Sequence, residues 1–186
     1  MLKAVFFDND GILVDTEHLY LKATQEILRS VDIELTEDQF REYFLVKALG
    51  ATQIMIEYHV NPEVLNKKLF ERDELYSSYL EEGIELISGV LEVLLEFKEK
   101  YKLALVTSSK KSHLHLIHKN RDLSEIFDLV LAREDYIQPK PSGECYLKAM
   151  SLLNLTSTDV VVVEDSKRGY LAALDAICGV KYRTDA

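Results

Sequence analysis

A chain of 186 residues is long enough to bury a real core, and it suits one compact domain or one domain carrying a modest insertion. Asp and Glu outnumber Lys and Arg by 32 to 22, a formal charge of −10, which argues against nucleic acid or an anionic membrane surface as a partner. Cys145 and Cys178 lie far apart without C-x-x-C spacing, no apolar run approaches the roughly 20 residues of a membrane span, and the N-terminus opens on a strand rather than an apolar signal region, so the expectation is a reduced, cytoplasmic protein.

In chain order, "AVFF" at 4 to 7 is the first strand-like run, and Asp8, Asp10 and Gly11 follow it directly. From about residue 16 to about residue 84 no strand-like run occurs. "EHLYLKATQEILRS", "TEDQFREYFLVK", "ATQIMIEYH" and "PEVLNKKLFERDELYSSYLEE" all read as helices, the last with Asn61 as N-cap and Pro62 at its first position. "DTE" at 15 to 17 and "EEGIELISG" at 81 to 89 form linkers to this segment, with Gly83 and Gly89 as hinge positions. Beyond it, strand-like runs at 103 to 106, 128 to 132, 160 to 163 and 177 to 182 alternate with helical patterns. In the first of these, Val90, Val93, Leu94 and Phe97 mark one face, and Ser166 N-caps "KRGYLAALDA". Short β-branched runs without polar alternation suit strands covered on both faces. The expected fold class is therefore α/β, a doubly wound parallel sheet formed by residues 1–15 and 85–186, with a helical insertion over 16–84.

In open α/β sheets ligands bind beyond the carboxyl ends of the strands. Asp8 and Asp10 follow the first run, Thr107, Ser108 and Ser109 the second, Glu164 and Asp165 the fourth, and the loop after the third leads to Lys140. Four strands thus deliver carboxylates, hydroxyls and one lysine to the same edge. Hard oxygen ligands of this kind suit Mg²⁺, which takes one or two carboxylates plus a substrate phosphate and relieves the repulsion among the acids. Hydroxyls, backbone N–H groups and an ammonium can hold phosphoryl oxygens. One carboxylate can then attack phosphorus, while a carboxyl two residues along serves the leaving group as acid and water as base.

"FFDNDGILVDTE", "LVTSS", "KP" at 140 to 141 and "VVVEDSKRGYLAAL" resemble, in order, the four motifs of the haloacid dehalogenase superfamily of phosphatases, in the branch that carries a helical cap and includes β-phosphoglucomutase. The resemblance implies a Rossmann-like core with an α-helical cap and an enzyme that hydrolyses a small phosphorylated metabolite. It further implies Asp8 as nucleophile, Asp10 as general acid/base, and Thr107 and Lys140 as phosphate-holding groups, to which the hydroxyl and N–H of Ser108 in the same run add a further phosphate-holding candidate. Mg²⁺ would be held by Asp8, the backbone carbonyl of Asp10, Asp165 and, directly or through water, Glu164. In caps of this family the region of Gly50 and Thr52 approaches the substrate, and Tyr20 is a further candidate for substrate recognition. A monomer or weak homo-oligomer is expected, with no nucleic acid and no membrane.

Four departures qualify the resemblance. The third motif has Gly143 where a second proline is usual, which should loosen the loop that places Lys140. Tyr20 stands where the mutase has a histidine, and "LVKALGATQ" lacks the mutase's arginine, so a phosphatase is favoured over a phosphomutase. The chain ends at "VKYRTDA", where the family pattern continues into a further loop and helix. A receiver-type signalling module, which also combines an acceptor aspartate with Thr and Lys, places its acceptor after a later strand and has no helical insertion. His113, His115 and His118 do not share one helix face and read as a solvated surface.

Overall fold

In the computed structural model, which describes residues 1–47 and 49–176, the chain forms two compact units, Met1–Asp15 with Glu85–Ala186, and Thr16–Ile84. The first unit is built on a parallel four-stranded sheet of β1 (Ala4–Phe7), β2 (Lys102–Val106), β3 (Leu129–Leu131) and β4 (Val160–Val163), in the order β3-β2-β1-β4. The strand expected at 177 to 182 lies outside the described residues.

The unbroken apolar character of β1 follows from its place between two neighbours with helices over it. Phe6 packs with Tyr146 and Met150 of α7 (Glu144–Leu153) and with Ala172 of α8 (Lys167–Ala176). Phe7 instead meets the rings of Phe127 and of Phe97 in α5 (Val90–Lys98). Truncating Phe6 to Ala would remove a fully buried ring at a cost of about 3–5 kcal/mol.

Register decides what this packing does for the site. Phe7 pairs with Leu105 on one side and with Val163 on the other. The residues that follow these strands, Asp8, Thr107 and Glu164, therefore emerge at one edge of the sheet.

Two readings of helix faces need correction. Of the residues expected on one face of α5, Leu94 is buried, but Val93 is exposed. On α6 (Lys111–Ile117) and at its end, His115 is exposed as expected, whereas His113 and His118 are buried beside Leu114 and Ile117. Burial of His118 is possible because its ring finds a hydrogen-bond partner inside, described below.

The second unit consists of α1 (Glu17–Arg29), α2 (Glu37–Phe40), a π-helical stretch Arg41–Val46, α3 (Gly50–Glu57) and α4 (Pro62–Leu80). Asn61 caps α4 by accepting from the Glu63 N–H at 2.8 Å, with Pro62 at the first position, where a missing N–H costs nothing. The pattern at 36 to 47 is not one uniform helix: Thr36 and Gln39 form a capping box, and after Phe40 the turns widen while Phe44 stacks on Phe40 at 4.5 Å. Ile27, Leu28, Ile33, Leu35, Ile54 and Met55 form the core of this unit. Among the described residues no helix is long and apolar enough to cross a membrane.

Candidate active site

β1 hands over to the site through a tight loop. Asp8 N–H donates to Val163 O at 3.0 Å, and the carbonyl of Asn9 accepts from Leu13 at 2.7 Å, Val14 at 3.2 Å and Ile12 at 3.3 Å. Gly11, at φ +78°, lies so near Asp165 that a Cβ there would stand 1.8 Å from Oδ2. Only glycine fits this turn, for reasons of both backbone conformation and space.

Asp8 is 8% exposed, and its Oδ1 faces Lys140 Nζ at 3.2 Å without hydrogen-bond geometry. Burial, together with the facing Glu164 carboxylate, pushes the Asp8 pKa up to about 8. Lys140 is buried, donating to Val106 O at 3.0 Å and to Glu164 Oε1 at 2.5 Å. Burial opposes its charge, but Asp8, Tyr146 and Glu164 together outweigh that cost and hold its pKa well above the ordinary value. The Glu164 carboxylate also accepts from Tyr146 Oη at 2.9 Å and from Ser166 Oγ at 3.1 Å, and Ser166 Oγ in turn accepts from Gly169 N–H at 3.0 Å, so Ser166 is the N-cap that the sequence suggests.

The loop after β2 approaches the same place. Thr107 is buried, its N–H donates to Leu131 O at 2.9 Å, and its Oγ1 accepts from Ser109 N–H at 3.0 Å while lying 3.5 Å from Asp10 Oδ2. Its hydroxyl thus braces the loop instead of capping α6, whose N-cap is Lys110. Ser109 is closer to Asp10 than Thr107 is, with Oγ donating to Oδ2 at 2.7 Å. Ser108 is half-buried in the same loop.

The loop that carries Lys140 is held firmly, contrary to the expectation from Gly143. Gly143 N–H donates to Asp175 Oδ2 at 2.8 Å, a bond that proline, with no N–H, could not make. Glu144 accepts from the N–H groups of Ile137 at 2.7 Å and Gln138 at 2.8 Å, bracing the other side of the loop.

The structure therefore brings together Asp8, Asp10, Thr107, Lys140, Glu164 and Asp165. Tyr20, Gly50 and Thr52 belong to the helical unit. There Tyr20 sits edge-on to Tyr76 at 5.1 Å and to Phe44 at 6.0 Å, with the Arg72 guanidinium over its ring, while Thr52 is exposed. Sequence reasoning missed Ser109 and Tyr146 as partners of the acids. Ser109 had a visible signal, a third hydroxyl in the run after β2; Tyr146 had none, because nothing in its helix marks the carboxylate it faces.

Oxygen atoms of Asp8, Glu164 and Asp165 lie within 4.8 Å of one another. An all-oxygen set, with one buried oxygen lacking a hydrogen bond and with like charges crowding Asp8, fits a hard divalent cation. Cys145 offers no rival nucleophile, since burial pushes its thiol up to about 11. A surface cavity of about 360 Å³ beside α6 is lined by Lys111, His115, His118, Arg121 and Asp135 and by none of the converging acids.

A first strand that ends on two acids, a hydroxyl loop after the second, a buried lysine and an acidic pair after the fourth, set on a Rossmann-like sheet, are the features of a phosphoryl-handling hydrolase. The chain belongs to the haloacid dehalogenase-like hydrolases, whose family model matches residues 5–182. Over 180 residues it is 34% identical to the phosphorylated carbohydrates phosphatase of Thermotoga maritima, a match covering 94% of this chain and 82% of that one. It is 25% identical over 185 residues to the β-phosphoglucomutase of Bacillus subtilis, covering 94% of this chain and 80% of that one. The structure is similar to that of CbbY from Rhodobacter sphaeroides in complex with phosphate, with a TM-score of 0.78 and 25% identity over 95% of this chain and 83% of that one. A mutant of CbbY has been solved in complex with xylulose 1,5-bisphosphate.

Proposed function

We propose that the protein is an Mg²⁺-dependent phosphatase of small phosphate monoesters, most readily a phosphorylated sugar, acting through an aspartyl phosphate at Asp8. The observation that carries this reading is the buried pairing of Asp8 with Lys140 at 3.2 Å, beside the acids of β4. The names of the T. maritima phosphatase and of the CbbY complexes support the sugar-phosphate class.

In this reading an Asp8 carboxylate oxygen attacks phosphorus as the bond from phosphorus to the ester oxygen breaks. Asp10 gives its proton to the departing oxygen, releasing the alcohol, and then takes a proton from the water that attacks the phosphorus of the acyl phosphate. Inorganic phosphate leaves and Asp8 is restored. Lys140 and the hydroxyl and N–H groups of Thr107 and Ser108 hold phosphoryl oxygens, and Ser109 keeps Asp10 Oδ2 aimed. Asp8, Asp165, the Asp10 carbonyl and Glu164 would hold Mg²⁺, which supplies positive charge to the phosphoryl group and to the crowded acids. Substrate choice falls to the helical unit, where exposed Thr52 and neighbouring Gly50 are better candidates than Tyr20, whose ring is engaged in packing.

Release of inorganic phosphate from a panel of sugar phosphates and an aryl phosphate, with Mg²⁺ and with EDTA, tests the proposal. Turnover that needs Mg²⁺ supports it; no release from any monoester, or conversion of β-glucose 1-phosphate to the 6-phosphate without release, overturns it in favour of a non-hydrolytic or mutase role.

A further inference from the structure

Asn9 lies between the two acids of the first motif and is wholly buried. Its side chain reaches across 109 positions of sequence to His118 at the end of α6, where the ring Nε2–H donates to Asn9 Oδ1 at 2.7 Å. His118 is itself 4% exposed and is fixed in the main chain on both sides, its N–H donating to Leu114 O at 3.1 Å and its carbonyl accepting from Arg121 N–H at 2.8 Å. Asn9 Nδ2 and His118 Nδ1 have no hydrogen-bond partner among the described residues. An apolar pair of similar volume would avoid leaving these two buried polar atoms unpaired. What such a pair would lack is a directional hold on residue 9.

That hold matters because residue 9 is the pivot of the loop. The same residue whose side chain meets His118 supplies the carbonyl that accepts from Ile12, Leu13 and Val14. Turning the backbone at position 9 would therefore change the placement of Asp8 relative to Asp10. We propose that His118 is a positioning residue for the reaction, acting through its hydrogen bond to Asn9 to set the relative placement of the Asp8 and Asp10 carboxylates. The proposal rests on the roles given to those two acids above. The His118 ring bonds to Asn9 through Nε2, and its Nδ1 has no partner among the described residues, so it makes no hydrogen bond of its own to either acid.

The geometry distinguishes the bond from mere filling of space. A glutamine side chain can place an N–H donor where Nε2 stands, whereas leucine fills the volume without a donor. Displacement of a reacting group by a fraction of an ångström to 1 Å lowers turnover on the order of 10- to 100-fold. In the full chain with Mg²⁺ and an aryl phosphate, His118→Leu should lose kcat by that factor with KM little changed, and His118→Gln should recover most of it. Asn9→Ala should resemble His118→Leu, and the double variant should be no worse than either single one. Amide resonances of Asp8, Asp10 and Gly11 should shift in His118→Leu and stay near wild type in His118→Gln, a readout that needs no turnover. If leucine and glutamine are equally impaired, if the two sites add independently, or if the three amides do not respond, His118 only fills space and the proposal is wrong. A wild-type protein without phosphatase activity would instead count against the proposed function, and the resonances would still decide whether His118 places the loop.

Discussion

Gly169, in the first turn of α8, lies so close to Glu164 that a Cβ at position 169 would stand 1.8 Å from Oε1 and 1.9 Å from Cδ. The helix can approach the acid only because this residue has no side chain. The Glu164 carboxylate is in turn fastened to Lys140, Tyr146 and Ser166. Gly169→Ala must therefore either drive Glu164 out of that set or push α8 off the sheet. It should cost about 1–3 kcal/mol of stability, as overpacking does. It should also lower kcat/KM on the order of 100-fold by displacing the acid, and paired melting and kinetic measurements would check both.

Ser109 gives a milder prediction. Its hydroxyl bonds a carboxylate oxygen of Asp10, and hydrogen bonds to charged groups contribute about 1.5–3 kcal/mol. Ser109→Ala should lower kcat roughly 10- to 100-fold while leaving the fold and KM nearly unchanged. Unchanged kcat would show that Asp10 is held by other groups.

Asp8 makes the metal-free protein sensitive to pH. Burial and Glu164 raise its folded-state pKa from 3.8 to about 8. The folded state then keeps a proton that the unfolded chain gives up, so the stability associated with this group is complete below about pH 4 and is lost as pH rises through about 8. In EDTA the melting temperature should fall over that window, Asp8→Asn should abolish the fall, and Mg²⁺ should raise melting more at pH about 8 than at pH about 5.

His118 has the opposite sense. Burial, aided by the Arg121 charge, lowers its pKa from 6.5 to about 4. Stability from the neutral ring is present above about pH 6.5 and is lost as pH falls through about 4, up to about 3 kcal/mol in all. His118→Gln should lack this acid-side loss, which denaturant titrations across the window would reveal.

Much of this architecture is legible in the sequence. β1 and β4 occupy the bounds their apolar runs suggest, and the parallel sheet follows from runs without alternation. Asp8 and Glu164 are legible because acids placed directly after buried strands are costly without a purpose, and Lys140 is legible only from its place in the order of motifs. The hidden part depends on side-chain direction. Val93 shares a helical period with Leu94 yet faces solvent, and His118 looks like a polar residue on a polar helix until Asn9 is seen beside it. Tyr146 is another such case: it is buried, and its hydroxyl ends on Glu164. Gly143 misled for a related reason, since its N–H matters more than its flexibility.

The most direct test of the central claim is a rapid acid quench of the enzyme turning over a ³²P-labelled phosphate monoester with Mg²⁺, followed by peptide mapping. Label stable to acid, labile to base and located on the peptide that contains Asp8, absent from Asp8→Asn along with turnover, is the predicted result. Label on another residue, or undiminished phosphate release by Asp8→Asn, would contradict it.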